Sequence, residues 1–198
     1  MKKTITTFFA VALVFPFGVL AEDAKTLNVT EKVEINAPAE LVWSKVKNFG
    51  DLGAWHPAVA KTEIIGGKNN VKGAVRLLTL QDGGTIKEKL VFYNEKGMTY
   101  EYQILEGVLP VSSYVSWITV KGGKTAKGKK TGVTTVVWKS SFKRKDTSAN
   151  PAAGQDDATA VKTITNVYKA GLDNLKKISE AAMSIECPQG AAGPCFTK

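Results

Sequence analysis

The sequence predicts an α+β fold in which one curved, seven-stranded antiparallel sheet wraps a long C-terminal helix. Seven segments between residues 29 and 142 alternate apolar and polar side chains, which is typical of half-buried strands. Turn-forming residues, such as those at 66–67 and 82–84, separate these segments. From residue 161 to 178, apolar residues recur every three or four positions, so this stripe should lie on the sheet. A layered arrangement of this kind places its natural cavity between sheet and helix.

The first 21 residues have the composition of a secretory signal peptide. Two lysines precede an apolar run that ends in small residues, and cleavage is expected before Glu22. An uncleaved anchor is the alternative, but the run is shorter than the roughly 20 apolar residues that span a bilayer. We therefore expect a periplasmic or secreted protein, without a transmembrane anchor after cleavage, that has one domain over residues 22–183.

The elements of that domain follow in a simple order. A first strand over Val29–Ile35 leads into Asn36-Ala37-Pro38, which predicts a helix start with proline in the first turn. The helix should run from about Pro38 to Asn48. A turn-rich segment over 50–57 then precedes six strands, near 59–65, 71–80, 85–93, 98–105, 113–120 and 133–142.

The long C-terminal helix follows a polar linker over residues 147–157, and Asp156 or Asp157 is placed to cap it. Gly171 lies in the middle of this helix, where glycine costs about 1 kcal/mol relative to alanine. Tight packing on the sheet, or space for a bound molecule, would explain the glycine.

Two cysteines, Cys187 and Cys195, lie in the tail over residues 184–198. In an oxidising compartment, a pair that flanks a Gly/Pro-rich loop predicts a disulfide. Metal binding and redox chemistry are the alternatives. A single pair without a nearby histidine is a poor metal site, so we expect no metal.

The chain carries a net charge of +9, and much of the excess is concentrated in one glycine-rich loop. This loop carries Lys121, Lys124, Lys127, Lys129 and Lys130. It could dock an acidic protein or an anionic membrane surface, or it could be a solvated hairpin tip that charge keeps soluble. Nucleic acid is not an expected partner, because no recognition motif with interleaved aromatic residues is present.

Glu88 is a carboxylate on a strand face that otherwise carries core residues. Because side chains two apart share a face, it lies in line with Ile86, Leu90 and Phe92. On the next strand, Tyr100 and Tyr102 also point inward. A buried carboxylate without partners costs several kcal/mol or has a raised pKa, so this face indicates a cavity with polar groups in its wall. The residues predicted to contact a ligand there are Trp55, His56, Arg76, Glu88, Phe92, Tyr100, Tyr102, Tyr114, Trp138, Ile164, Tyr168 and Gly171.

A catalytic alternative uses Glu88 as general acid or base, with Arg76 stabilising negative charge and Tyr114 or Tyr102 donating a proton. An odd-numbered turn around residue 82 would place Arg76 and Glu88 on one sheet face, and a two-residue turn would separate them. The alternative to catalysis is a buried ion pair that only fixes strand order. No nucleophile elbow, phosphate loop or dinucleotide motif is present, and no cofactor is expected.

His56 is the only histidine and lies in a loop next to Trp55. Proton transfer is one role for it, and a hydrogen bond within the loop is the other. A metal site is not expected, because the loop has no second histidine and no carboxylate cluster.

These motifs, taken in order, resemble the polyketide cyclase/dehydrase branch of the START-like (SRPBCC, Bet v 1-like) helix-grip superfamily. The resemblance rests on Ala37-Pro38-Ala39-Glu40-Leu41-Val42-Trp43, Phe49-Gly50-Asp51-Leu52, Trp55-His56-Pro57, Gly73-Ala74-Val75-Arg76, Glu88-Lys89-Leu90, Leu109-Pro110 and Tyr114. It implies a fold that closes on a hydrophobic ligand, with loops 79–84 and 106–111 over the cavity and with Glu88 and Tyr114 as polar contacts below them.

The sequence is compatible with three functions. The first is binding of an apolar small molecule, and the second is a cofactor-independent cyclase, dehydratase or isomerase reaction. The exported pattern is also similar to the periplasmic accessory protein of bacterial methanol oxidation. That similarity implies a third function, docking to an acidic partner such as a dehydrogenase/cytochrome pair.

Overall fold

The computed structural model describes residues 24–124 and 130–186. The predicted signal peptide, the proposed Cys187–Cys195 disulfide, and Lys127 and Lys129 of the basic loop lie outside these residues. The described chain forms one seven-stranded antiparallel sheet and two α-helices, as the sequence predicts. The strands are β1 (Leu27–Ile35), β2 (Val59–Gly66), β3 (Val75–Leu80), β4 (Thr85–Asn94), β5 (Thr99–Gly107), β6 (Val111–Lys124) and β7 (Lys130–Arg144). The helices are α1 (Ala39–Val46) and α2 (Asp157–Glu186), and a 3-10 turn covers Leu52–Ala54.

The sheet order is β1-β7-β6-β5-β4-β3-β2, so β2 to β7 form a meander of hairpins and β1 pairs with β7. Strands β1 and β2 are therefore the two edges. The segment between them, which contains α1 and the 3-10 turn, crosses from one edge to the other. This crossing places the loop around His56 on the same side of the sheet as α2, where the two meet.

The core lies between the inner face of the sheet and the two helices. Helix α1 buries Val42, Trp43 and Val46, as its periodicity predicts. Helix α2 begins as expected, because the Asp156 carboxylate accepts a hydrogen bond from the backbone N–H of Thr159 at 2.8 Å. Its buried stripe consists of Ala160, Ile164, Tyr168, Leu172 and Leu175.

Two strand boundaries differ from the prediction. Strand β3 begins at Val75 rather than at Val71, because the backbone turns before it: Gly73 has a φ of +94°, and the Ala74 N–H bonds to the Val71 carbonyl. Strands β6 and β7 run on to Lys124 and Lys130, so the hairpin that carries the basic loop is longer than predicted.

Candidate ligand-binding site

A small, mainly apolar cavity lies between the inner face of the sheet and α2, with a volume of about 70 Å³. A ligand pocket usually measures about 300–1,000 Å³, so a cavity of this volume has room for a few water molecules only. Its wall consists of Leu52, His56, Ala58, Val59, Leu78, Leu80, Ile86, Glu88, Tyr102, Ile104, Leu109, Tyr114, Trp138, Ile164, Val167 and Tyr168.

A buried ion pair joins β3 and β4 beside this cavity. Arg76 is directly opposite Glu88 in the strand register, so both side chains share the inner face of the sheet. The Arg76 Nε donates to Glu88 Oε2 at 2.6 Å, and Nη2 lies 2.6 Å from the same oxygen. Both side chains are almost completely buried. The turn between the strands has the odd length that brings the two residues onto one face, which settles the question that the sequence left open.

The guanidinium of Arg76 is held on several sides. Nη1 donates to the Phe49 carbonyl at 2.7 Å, and Cζ lies 4.1 Å from the centre of the Phe49 ring and 5.2 Å from that of Tyr102. Burial raises the pKa of Glu88, and the Arg76 charge opposes this shift. Glu88 lines the cavity and Arg76 does not.

The second polar group of the wall is a chain of hydroxyls beneath α2. Ser116 donates its single hydroxyl proton to the Lys139 carbonyl at 2.9 Å. Tyr168 must therefore donate to Ser116 Oγ at 2.8 Å, and Tyr114 to Tyr168 at 2.5 Å. Burial is the largest cause that raises the pKa of the Tyr114 and Tyr168 phenols, that of Tyr168 to about 12, so both are neutral donors at ordinary pH.

Trp138 ties this chain to the sheet. Its indole stacks on Tyr168 with ring centres 4.3 Å apart. Its Nε1 donates to both Ser116 Oγ and Tyr102 Oη at 3.1 Å. Tyr102 accepts this bond, and its hydroxyl also lies within hydrogen-bonding reach of Ser116.

His56 lines the cavity wall as a neutral imidazole. Its Nδ1 accepts from the Ala58 N–H at 3.2 Å, so Nε2 must carry the ring proton and donate to the Val167 carbonyl at 3.0 Å. Burial lowers the pKa of His56 below its ordinary value of 6.5, which favours this neutral form. The described residues contain no group of three or more side chains that could hold a metal ion.

The structure brings seven of the twelve predicted ligand contacts into the cavity wall. These are His56, Glu88, Tyr102, Tyr114, Trp138, Ile164 and Tyr168. Arg76, Trp55 and Tyr100 are buried next to it, without lining it. Trp55 packs against Trp138, and Tyr100 belongs to an aromatic cluster with Phe49 and Trp43.

The expectation that Phe92 points inward is wrong. Phe92 is 47% exposed, because β4 has a bulge between Leu90 and Phe92. Leu90 pairs with Tyr102 and Phe92 with Glu101, so Val91 is the extra residue that reverses the alternation. Tyr93 points inward in its place and packs against the core.

The surroundings of Gly171 decide between tight packing on the sheet and space for a bound molecule. A Cβ at this position would lie 2.6 Å from His56 Cδ2 and 2.9 Å from Trp138 Cζ3. The space beside Gly171 is therefore filled by protein, which makes it a packing position rather than part of the cavity wall.

Several important residues of the site were missed from the sequence. Ser116 joins the tyrosines to Trp138, and its signal was a small polar residue between the inward-facing Tyr114 and Ile118. Leu109 lies in the loop between β5 and β6, which the family resemblance placed over the cavity, but it was not among the predicted ligand contacts.

A larger cleft of about 310 Å³ adjoins the cavity at this loop. The two spaces share Ile104, Leu109 and Tyr114 in their walls. The loop also meets the β3–β4 turn, since the Val108 N–H bonds to the Thr85 carbonyl and a Cβ on Gly84 would lie 3.0 Å from Val108 Cγ2. The two loops expected over the cavity are therefore in contact with each other.

Comparison with solved structures places the chain among proteins of the same architecture. XoxI from Bacillus cereus is 27% identical, with a TM-score of 0.64 over 81% of this chain and 98% of its own. An uncharacterised protein from Bacillus thuringiensis is 28% identical, with a TM-score of 0.63 over 77% of this chain and 98% of its own. Ara h 8.0201 is 15% identical with a TM-score of 0.61, over 79% of this chain and 99% of its own, and this likeness shows the Bet v 1-like helix-grip fold.

No helix in the described part of the chain is long and apolar enough to span a membrane.

The family model for polyketide cyclase/dehydrase and lipid transport matches residues 26–180, which include every strand and the cavity wall. The chain therefore belongs to the polyketide cyclase/dehydrase and lipid transport family.

Proposed function

We propose that this protein binds an apolar small molecule in the cavity between the sheet and α2. The observation that supports this most directly is the apolar wall, in which polar atoms are few. Family membership supports the same class of ligand. Glu88 Oε1 is the polar atom that remains for a ligand, since Arg76 bonds only Oε2, and it suits one uncharged hydrogen-bond donor on the ligand.

A ligand needs more room than the closed cavity provides. The adjoining cleft supplies it, because only Leu109 and its neighbours in the shared wall separate the two spaces. Movement of Leu109 would join a space of about 70 Å³ to one of about 310 Å³ and reach the size of a small-molecule pocket. We infer that the β5–β6 loop moves when the ligand enters.

Binding has more support than catalysis. Arg76 bonds Glu88 Oε2 and the Phe49 carbonyl, and Tyr114 donates its proton to Tyr168, so all three proposed catalytic groups already have protein partners. A cyclase, dehydratase or isomerase reaction that uses Glu88, Arg76 and Tyr114 stays a prediction.

Export and docking also stay predictions. Export rests on the N-terminal segment, and docking to an acidic partner rests on a loop whose centre lies outside the described residues. Lys121 is exposed where that loop begins, which is compatible with docking.

The binding proposal can be tested with the uncharged fluorescent probe N-phenyl-1-naphthylamine. The protein should bind it with a rise in fluorescence, and Ile104→Trp should abolish binding by filling the shared wall of cavity and cleft. Gln103→Trp is the matched control, because the adjacent residue of β5 points to the outer face. Absence of binding to the native protein, or equal loss in both variants, would refute the proposal.

A further inference from the structure

Lys145 is the one residue whose backbone and side chain together hold both ends of the β5–β6 loop among the described hydrogen bonds. Its N–H bonds to the Pro110 carbonyl at 3.0 Å, and its Nζ donates to the Gly107 carbonyl at 2.8 Å. It also lines the 310 Å³ cleft. The loop that it holds carries Leu109, which separates this cleft from the cavity.

The charge nearest to a bound ligand is negative in the cavity and positive in the cleft. In the inner cavity, Glu88 lines the space and its partner Arg76 does not, so the nearest charge to a ligand is negative. In the cleft, Glu106 is paired with Lys87, whereas the ammonium of Lys145 bonds only a neutral carbonyl and has no carboxylate partner among the described residues. An anionic group would be repelled at the inner end and attracted at the cleft.

We propose that the ligand is an amphiphile with an anionic head, and that Lys145 binds this head at the mouth of the cleft while the apolar tail enters the cavity. This inference rests on the proposed function and names the chemical class of the ligand. A carboxylate competes with the Gly107 carbonyl for the ammonium, because a charge-assisted hydrogen bond is stronger than one to a neutral carbonyl. Loss of that bond removes the side-chain contact that holds the loop at Gly107, while the backbone bond to Pro110 remains, so head binding favours displacement of Leu109.

The surface around the mouth fits such a ligand. Leu105 and Val108 are 47% and 55% exposed, and both are in or next to the loop. Leu105 lines the cleft together with Lys145, so it offers apolar surface at the entrance to the cleft. The head would therefore stay at the solvent edge, where its charge remains partly hydrated.

The test compares decanoate with 1-decanol, which have the same chain length and differ in head charge. Each is titrated against protein loaded with N-phenyl-1-naphthylamine, and displacement is followed by fluorescence. Decanoate should bind about fivefold more tightly than 1-decanol, the scale expected for a charge pair at an exposed site. Lys145→Gln should remove this preference, because the amide can still donate to Gly107 but carries no charge, and Lys145→Arg should retain it.

Lys89→Gln is the control, since this lysine is exposed on the opposite face of the sheet. Equal affinity for the two ligands in the native protein would overturn the assignment. So would an equal loss of both ligands in Lys145→Gln, since Lys145 would then only hold the loop. If the fluorescent probe binds and the decanoate preference is absent, the inference fails and the proposed function stands. If the probe itself does not bind, both fail.

Discussion

The imidazole of His56 lies directly against the backbone of Gly171 in α2. Nε2 of His56 is 3.0 Å from the carbonyl oxygen of Val167, one turn earlier in the helix. A side chain at position 171 would occupy the space of the ring, since its Cβ would be 2.6 Å from His56 Cδ2. The glycine thus allows the loop before β2 to bond directly to the helix beside the cavity.

Gly171→Ala should destabilise the protein even though alanine is the better helix former. Overpacking against His56 and Trp138 costs about 1–3 kcal/mol, whereas the gain in helix propensity is about 1 kcal/mol. The free energy of unfolding in urea measures the difference. Asn166→Ala, on the exposed side of α2, is the control and should be neutral or stabilising. A Gly171→Ala protein more stable than the native one would show that the contact with His56 is loose.

The same contact predicts a dependence of stability on pH. Burial lowers the pKa of His56 in the folded state, so the unfolded chain binds a proton more readily between the folded pKa and 6.5. The contribution of His56 to the free energy of unfolding should have its full value above pH 6.5. It should fall as the pH drops below 6.5, by at most about 1.4 kcal/mol per pH unit.

Urea unfolding between pH 7.5 and 5.5 would measure this slope. His56→Gln is the informative variant, because its amide can still donate to the Val167 carbonyl but cannot be protonated in this range. The slope should disappear in that variant. A fall in stability that persists on acidification would mean that His56 is not its source. Glu88 could not account for it, because a carboxyl group whose pKa is raised in the folded state gives a slope of the opposite sign.

All five tyrosines should resist ionisation in the folded protein. They are Tyr93, Tyr100, Tyr102, Tyr114 and Tyr168, and burial is the largest cause that raises the pKa of each above 10. A near-ultraviolet titration should therefore show little tyrosinate at pH 10, whereas the urea-unfolded chain should be half-ionised there. Substantial tyrosinate in the folded protein at that pH would mean that the hydroxyl chain under α2 is open to water.

Alternation along the strands was enough to predict the sheet, the inward position of Glu88 and the stripe of α2, because these depend on local periodicity. Alternation failed at Phe92, where one bulged residue reversed the faces of β4. The contacts of His56 with Gly171 and of Lys145 with Gly107 join residues far apart in the chain. Only the tertiary structure brings these residues together, so a local sequence pattern cannot predict the contacts.

The Arg76–Glu88 pair should be the most costly site at which to remove one charge. Glu88→Gln leaves the Arg76 guanidinium buried without a counter-ion, which is expected to cost about 3–5 kcal/mol. Glu63→Gln is the matched control, because the Lys61–Glu63 pair is similar in length at 2.9 Å but exposed to solvent. Its loss should cost no more than about 1 kcal/mol. Urea unfolding of both variants at pH 7.5 would measure these two losses of stability.

The double variant Arg76→Met/Glu88→Leu separates the cost of an unpaired charge from the value of the pair. Replacing both charges with apolar groups removes the uncompensated ion, so the double variant should be more stable than Glu88→Gln. It should not regain full stability, because the Phe49 carbonyl loses its bond from Arg76 Nη1. If the effects of Arg76→Met and Glu88→Leu on stability simply add, the carboxylate and the guanidinium act independently, which would contradict a coupled pair.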